Sequence, residues 1–447
     1  MVGERFEQWG RTVHCVNPLH GITLSAIDTP SARRRIEQLS DEQLAAAAAA
    51  IIGVPRAEVV GDRFSFVLHA PLELLARMAL LPSIAPGARD DARLRIAALA
   101  AGYEESGPAL PPARPRGFAS PEEAAAALNA ATVDGDLDEV DGAATWLADH
   151  APAGSIRALL ADAVLPRLSA AGHASIYFSL LGRAPRHPIG PRLLRSVTRA
   201  VAGDPSLQIA MPSDDADPIG IDALVARVAA TTVIGPPAIP FIAPLVLQAE
   251  AAGSFEGLAG APGVPGFELV RLAAGTMLQG DPAQAPYGWT HCLTLSQAPL
   301  RLAAAGVVPA RRAAFVAAAY VAAHWAAYGA GQVELAPTEA DPTDDVLAAV
   351  EVELATSAAL AHDAHRVKYT LACLDAAADD PSHRTTYLAA AAYLGDWWDA
   401  AGDASDPLPQ VARLSPKNAS SSAVASAEQT PARTEGSWLS RGSVQRL

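Results

Sequence analysis

The chain has 447 residues, half of them hydrophobic and only 5% aromatic, with a formal net charge of −15 at pH 7. That length and apolar content can bury a large core, in one big domain or two to three smaller ones. An acidic balance without a basic cluster argues against nucleic acid and anionic membranes as partners. The scattered Cys15, Cys292 and Cys373 argue against a disulfide framework or a thiolate zinc site.

Alanine dominates, β-branched and aromatic residues are sparse, and no sustained period-2 alternation appears. The expected fold class is therefore all-α. Residues 1–30 read as an irregular N-terminal segment. Its start is charged and lacks the apolar core of a signal peptide, so a soluble cytoplasmic protein is expected. A helix is predicted from the Ser31/Arg33 region through the Ala45–Ala50 block. After a turn at Gly53-Val54-Pro55, a second helix follows Phe64, with Pro71 in its first turn and His69 at its N-terminal edge. Residues 107–115 form a Pro-rich surface connection, and Ser120-Pro121-Glu122-Glu123 is a strong helix start.

Helical patterns follow at 136–150, 153–171 and 173–181, with a break at 185–191 and loops at 204–218 and 253–266. From 267 to 401 the helical signal is nearly continuous. The most membrane-like run, 313–331, is mostly Ala and Gly, carries His324, and reads as a buried helix of a soluble protein. Residues 403–447 are low in complexity and are expected to be disordered beyond about 415. The whole reads as one large, bundle-like helical domain over 31–402.

The local marks of nucleotide-phosphate binding, dinucleotide binding and α/β-hydrolase chemistry are absent, as are H-E-x-x-H and paired E-x-x-H motifs. Two other features carry chemistry. The first is lysine usage: of 33 Lys and Arg residues only Lys368 and Lys417 are lysine, and Lys417 lies in the tail. Arginine stays charged in proteins, whereas a buried lysine can give up its proton. Either an amine is needed at 368, or Lys368 is a survivor of codon bias on a solvated face. Ala358, Ala361, His365, Lys368 and Ala372 recur at spacings of three and four, which on one helix would share a face.

The second feature is a set of eleven histidines, of which His69, His173, His291, His324 and His365 sit in apolar surroundings. Burying an imidazole without a partner costs roughly 1–3 kcal/mol, so each needs a hydrogen bond, a ligand or a metal. For any one of them a satisfied core histidine is the simplest account. Together, on crossing helices, they could form a metal site. His362 reads as solvated and outside such a site.

The segments His69-Ala-Pro-Leu-Glu-Leu-Leu, His173-Ala-Ser-Ile-Tyr-Phe-Ser-Leu, His291-Cys-Leu-Thr-Leu and Asp363-Ala-His-Arg-Val-Lys-Tyr-Thr resemble, in order, the four histidine motifs of the questin oxidase-like family. The likeness runs from about residue 30 to 400. It implies a largely helical oxygenase of aromatic polyketide metabolism that opens a ring of an anthraquinone-type substrate with dioxygen. The implied cofactor is iron, held by His69, His173, His291 and His365 with a carboxylated Lys368 formed from CO2. Thr294 and Asp363 would hydrogen-bond the ligands. Leu68 and Tyr177 depart from the family pattern, which tends to place a polar residue and an arginine there.

A flat substrate would be stacked by Tyr177, Trp289, Trp325 and Tyr369, with His324 either at the pocket or in the core. A small aromatic substrate and dioxygen are the expected partners, and a homodimer is allowed. One alternative within enzymes is a Baeyer–Villiger-type monooxygenase using NADPH as cosubstrate, although no dinucleotide fingerprint supports a bound nicotinamide. The alternative from another class is a non-catalytic helical binding protein whose histidines satisfy one another.

Overall fold

Side-chain caps decide where many of the helices begin. Thr29 accepts the Ala32 N–H ahead of Pro30–Glu37, and Ser40 with Gln43 forms a reciprocal capping box ahead of Asp41–Ile52. The single helix expected from the Ser31 region through Ala50 is thus two, because Ser40 and Gln43 satisfy the orphan N–H groups of a new start. Ser120 caps Pro121–Asp134, as the sequence predicts, and Asp136, within the predicted 136–150 helical pattern, caps Leu137–His150. Ser65 caps Phe66–Leu80 by accepting from Leu68. That cap moves the start upstream of the predicted one, so Pro71 stands in the helix interior and His69 one turn in.

A computed structural model describes residues 17–57, 65–183, 189–213, 216–261, 266–329 and 343–401. Among them are 18 α-helices and no strand; the only β pairing is two isolated bridges, Arg56 with Ala109 and Arg167 with Gln208. The fold is all-α. Of the irregular N-terminal segment, residues 17–29 hold one short 3₁₀ turn, yet Leu19, Ile22, Leu24 and Ile27 are buried against the helices. The 403–447 tail lies outside the described residues.

One contiguous apolar core extends from Leu19 to Trp398. At its centre four helices pack in a closed ring. Phe66–Leu80 meets His173–Leu181, which meets Thr290–Ala304, which meets Ala364–Asp379, which returns to Phe66–Leu80. Ala310–Tyr328 backs the Thr290 helix, and Arg384–Ala401 backs the Ala364 helix. The alanines of Ala310–Tyr328, buried from Ala313 to Ala327, present small side chains that let the neighbouring helix axis come close. The stretch Phe66–Ser83 is long and apolar enough to cross a bilayer by length and composition, but 61% of it is buried inside the protein. It also carries the buried Glu73–Arg77 ion pair.

The predicted shared face of Ala358, Ala361, His365, Lys368 and Ala372 is divided. Asp344–Leu360 ends, Ala361 is extended (φ −62, ψ 153), and Asp363 caps a new helix by accepting the His365 N–H at 2.6 Å. Only His365, Lys368 and Ala372 lie on one helix. The spacing alone could not register an Asx cap inside the pattern.

Candidate metal centre

Each helix of the central ring contributes one histidine. His69, His173, His291 and His365 are buried, and their nearest ring nitrogens all lie within 4.8 Å of one another. Their rings form a closed cycle, with centroids 4.8 Å apart from His69 to His173, 5.4 Å to His291, 4.9 Å to His365 and 4.7 Å back to His69. A cation bound at about 2.1 Å by each Nε2 lies roughly 3.2 Å from each ring centre. Neighbouring centroids would then stand roughly 4.5 Å apart in a square set and roughly 5.2 Å apart in a tetrahedral one. The cycle runs from 4.7 to 5.4 Å, from near the square value to slightly beyond the tetrahedral one.

The other nitrogen of three rings is already engaged, which fixes the tautomer. His291 Nδ1 donates to the Tyr287 carbonyl at 2.6 Å, and His365 Nδ1 donates to Asp363 Oδ1 at 3.0 Å. His173 Nδ1 donates to the carbonyls of Ala170 (2.9 Å) and Ala171 (3.1 Å). With Nδ1 carrying the proton, Nε2 of each of these rings presents a lone pair, the usual arrangement of metal-binding imidazoles. His69 Nε2 lies 3.1 Å from His173 Nε2. Without a cation the two share one proton; a cation between them would take both lone pairs.

Backbone strain supports this geometry. Ala170, Ala171 and Gly172 have φ of 53°, 51° and 71° in succession, and the two alanines are the only non-glycine residues at positive φ among the described residues. Left-handed backbone costs an L-residue roughly 1–2 kcal/mol, and such strain concentrates at functional sites. Here it turns two carbonyls back onto one imidazole. Ala171→Gly is therefore expected to be neutral or stabilising by up to about 1 kcal/mol, against the usual sign for Ala→Gly. Gly172→Ala should destabilise, because its Cβ would lie 2.5 Å from the Tyr320 hydroxyl and 3.0 Å from Leu295. Chemical denaturation of both variants checks the pair; a destabilised Ala171→Gly would contradict it.

Lys368 is 5% exposed, and its Nζ has no hydrogen-bond partner among the described residues. Burial pulls its ammonium down to about 8, with the negative charges of Asp363 and Glu73 opposing. In the other direction, burial acts to raise the Asp363 carboxyl, but His365 and Lys368 hold it below its ordinary value. Burial lowers His69, His173, His291 and His365 alike, and the charge of Lys368 pushes each further down. The cluster is thus four neutral imidazoles beside an amine of weakened basicity. Such a donor set suits a divalent transition metal.

These shifts have a definite pH consequence. In the unfolded chain the histidines titrate near 6.5, so on acidification the unfolded state takes up protons before the folded state does. Their contribution to stability is fully present above about pH 6.5 and declines as the pH falls toward the folded values. His324, which burial brings down to about 4, adds in the same sense. Thermal melts of metal-free protein from about pH 8 to about pH 5 should show a midpoint that falls only in the acid half. A flat profile would contradict the burial of neutral histidines.

The remaining expected site residues are distributed as follows. Asp363 joins the cluster through His365. Thr294 lies one turn after His291, and its hydroxyl donates to the Thr290 carbonyl at 2.8 Å. Tyr177 donates to the Gly190 carbonyl at 2.7 Å, and Trp325 Nε1 donates to Thr276 at 3.1 Å, so both have ordinary core partners. Tyr369 is fully buried, and burial raises its phenol well above the ordinary value. Trp289 packs against His324 (6.3 Å) and Tyr328 (5.7 Å). His324 donates from Nδ1 to the Tyr320 carbonyl at 2.7 Å and stays outside the four-histidine cluster. His362 is half-buried beside Arg95, at 3.0 Å, rather than solvated.

Two residues at the cluster have no counterpart in the sequence reading. Glu73, one turn after His69, pairs with Arg77 and acts electrostatically on Lys368. Tyr287, one turn before His291, holds that imidazole through its carbonyl and Asp363 through its hydroxyl. The i±4 offsets from a histidine were the available signals. No family model, curated protein or solved structure matches this chain, so what the four histidines can do is argued from their own geometry.

Proposed function

We propose that the chain is a metal-dependent oxygenase in which His69, His173, His291 and His365 hold iron and Lys368 completes the set, acting on a flat aromatic or quinone-like substrate. The observation that carries the reading is the meeting of four buried imidazoles whose nearest ring nitrogens lie within 4.8 Å of one another, three of them with the proton held on Nδ1 by a hydrogen bond. These are the histidines that the resemblance to the questin oxidase-like family singles out. Iron in such a nitrogen set supplies one-electron chemistry and dioxygen activation.

The chain's own residues have separate tasks. Asp363 and the carbonyls of Tyr287, Ala170 and Ala171 keep the Nδ1 protons in place. Lys368, buried and weakly basic, can become a ligand in two ways. Its neutral amine can donate its lone pair. Alternatively the nitrogen can add to the carbon of CO2, losing one proton to water and becoming a carbamate whose oxygen is anionic. A carbamate would offset the charge of the cation in a low-dielectric site. His69, His291 and His365 keep 6–8% of their surface exposed, whereas His173 keeps 1%. Tyr287, half-buried, stands edge-on to His365 at 5.0 Å.

The proposal extends to a cytoplasmic enzyme with a small aromatic substrate and dioxygen. Protein loaded with Fe(II) and offered a panel of hydroxyanthraquinones and their hydroquinones, with and without NADPH, is expected to consume dioxygen and give products that carry both oxygen atoms, or one where NADPH supplies the two electrons that reduce the other to water. Full iron loading with no oxygen uptake across the panel would remove the oxygenase reading and leave a metal-binding protein. The 3.1 Å contact between His69 and His173 also fits a non-catalytic core whose histidines satisfy one another. In that case no metal binds.

A further inference from the structure

Tyr287 lies in the single π-helical turn among the described residues, Ala285–Trp289, which runs directly into the Thr290–Ala304 helix. Such a turn holds an extra residue and is found disproportionately at functional sites. Three groups of Tyr287 face the histidine cluster. The carbonyl accepts from His291 Nδ1 at 2.6 Å. The hydroxyl donates to Asp363 Oδ2 at 3.3 Å, while Oδ1 of the same carboxylate accepts both the Nδ1 proton and the backbone N–H of His365. The ring stands edge-on to His365 at 5.0 Å and to Trp398 at 5.9 Å.

We infer that Tyr287 is a positioning residue for two imidazoles on different helices, fixing His291 through its backbone and His365 through Asp363. A carboxylate bound only to His365 could rotate about its own side chain. With Oδ2 held by the phenol and Oδ1 by two N–H groups, its plane is set, and with it the direction of His365 Nε2. The inference rests on the metal-binding reading of the cluster, but it fails separately from it.

The experiment is a Co(II) titration followed by visible ligand-field absorption, on the intact chain and on Tyr287→Phe, Asp363→Asn and the double variant. Tyr387→Phe is the control. It removes a hydroxyl that donates to Asp380 at 2.9 Å, a bond of the same kind at the far end of the Ala364–Asp379 helix. Tyr287→Phe is expected to weaken Co(II) binding about tenfold or more and to shift the band, with a melting temperature close to that of the control. Its effect should largely disappear in the Asp363→Asn background, because both act on His365 along one path. Unchanged affinity and spectrum in Tyr287→Phe, or full additivity with Asp363→Asn, would overturn the inference. Failure of the unaltered chain to bind Co(II) would overturn the metal reading instead.

Discussion

Lys368→Arg is expected to abolish metal binding while leaving the fold intact. The substitution keeps a positive charge and most of the side-chain length, so a lysine on a solvated face would tolerate it. At this position the amine is 5% exposed, has no hydrogen-bond partner among the described residues, and is brought down to about 8 by burial. A guanidinium does not lose its proton in proteins, cannot donate a lone pair and cannot form a carbamate. It would also place a permanent charge beside the cation. Two unit charges about 4 Å apart at an effective dielectric of about 20 repel by about 4 kcal/mol, and a divalent ion doubles that. Lys368→Met separates the contributions, since it removes the proposed ligand without adding charge and should weaken binding less. Metal content of purified variants, with Co(II) titration of the metal-free forms, checks both. Near-normal metal in Lys368→Arg would reject a ligand role for the lysine.

Arg77→Met is expected to cost about 3–5 kcal/mol of stability, the largest loss foreseen for a residue that touches no histidine. Arg77 and Glu73 lie one turn apart on the helix that carries His69, and their side chains are 3% and 2% exposed. The guanidinium donates from Nε to Glu73 at 2.7 Å, and its two terminal nitrogens donate to the carbonyls of Ala359 and Ala361, each at 2.7 Å. Those carbonyls end the helix that precedes Asp363. The pair therefore ties the His69 helix to the turn from which His365 projects. Removing the arginine leaves a buried carboxylate and two carbonyls without their donor. Lysine, a point charge with no planar fork, cannot replace all three bonds. Because a buried pair is costly to break but not to delete whole, Glu73→Leu in the Arg77→Met background should restore much of the loss. Urea denaturation tests this; a loss under about 1 kcal/mol for Arg77→Met would show that the pair carries little.

How much of this was legible in the sequence follows from what each feature requires. The all-α class needed only composition, and the cap at Ser120 needed only local side-chain chemistry. Pro71 misled because proline suits a first turn, but Ser65 starts the helix further upstream. The face from Ala358 to Ala372 misled because spacing does not register a break that an Asp side chain creates. The four histidines could be suspected from apolar surroundings and joined only through a family resemblance. Their convergence depends on how four helices pack, which no local rule fixes. The left-handed turn at Ala170 and Ala171 had no sequence signal at all, since alanine does not favour it. Glu73 and Tyr287 gain a role only from the positions of Lys368 and Asp363, which the sequence does not give.

Whether the four imidazoles bind a cation decides between a metal centre and a self-satisfied histidine core. The direct measurement is elemental analysis of the purified chain together with a melting curve of the metal-free protein before and after Fe(II) is added without oxygen. Close to one equivalent of bound transition metal is expected, with a melting midpoint that rises with metal concentration, as it must when a ligand binds only the folded state. Less than about a tenth of an equivalent on isolation, with no binding and no rise in midpoint on adding Fe(II), would contradict a metal centre.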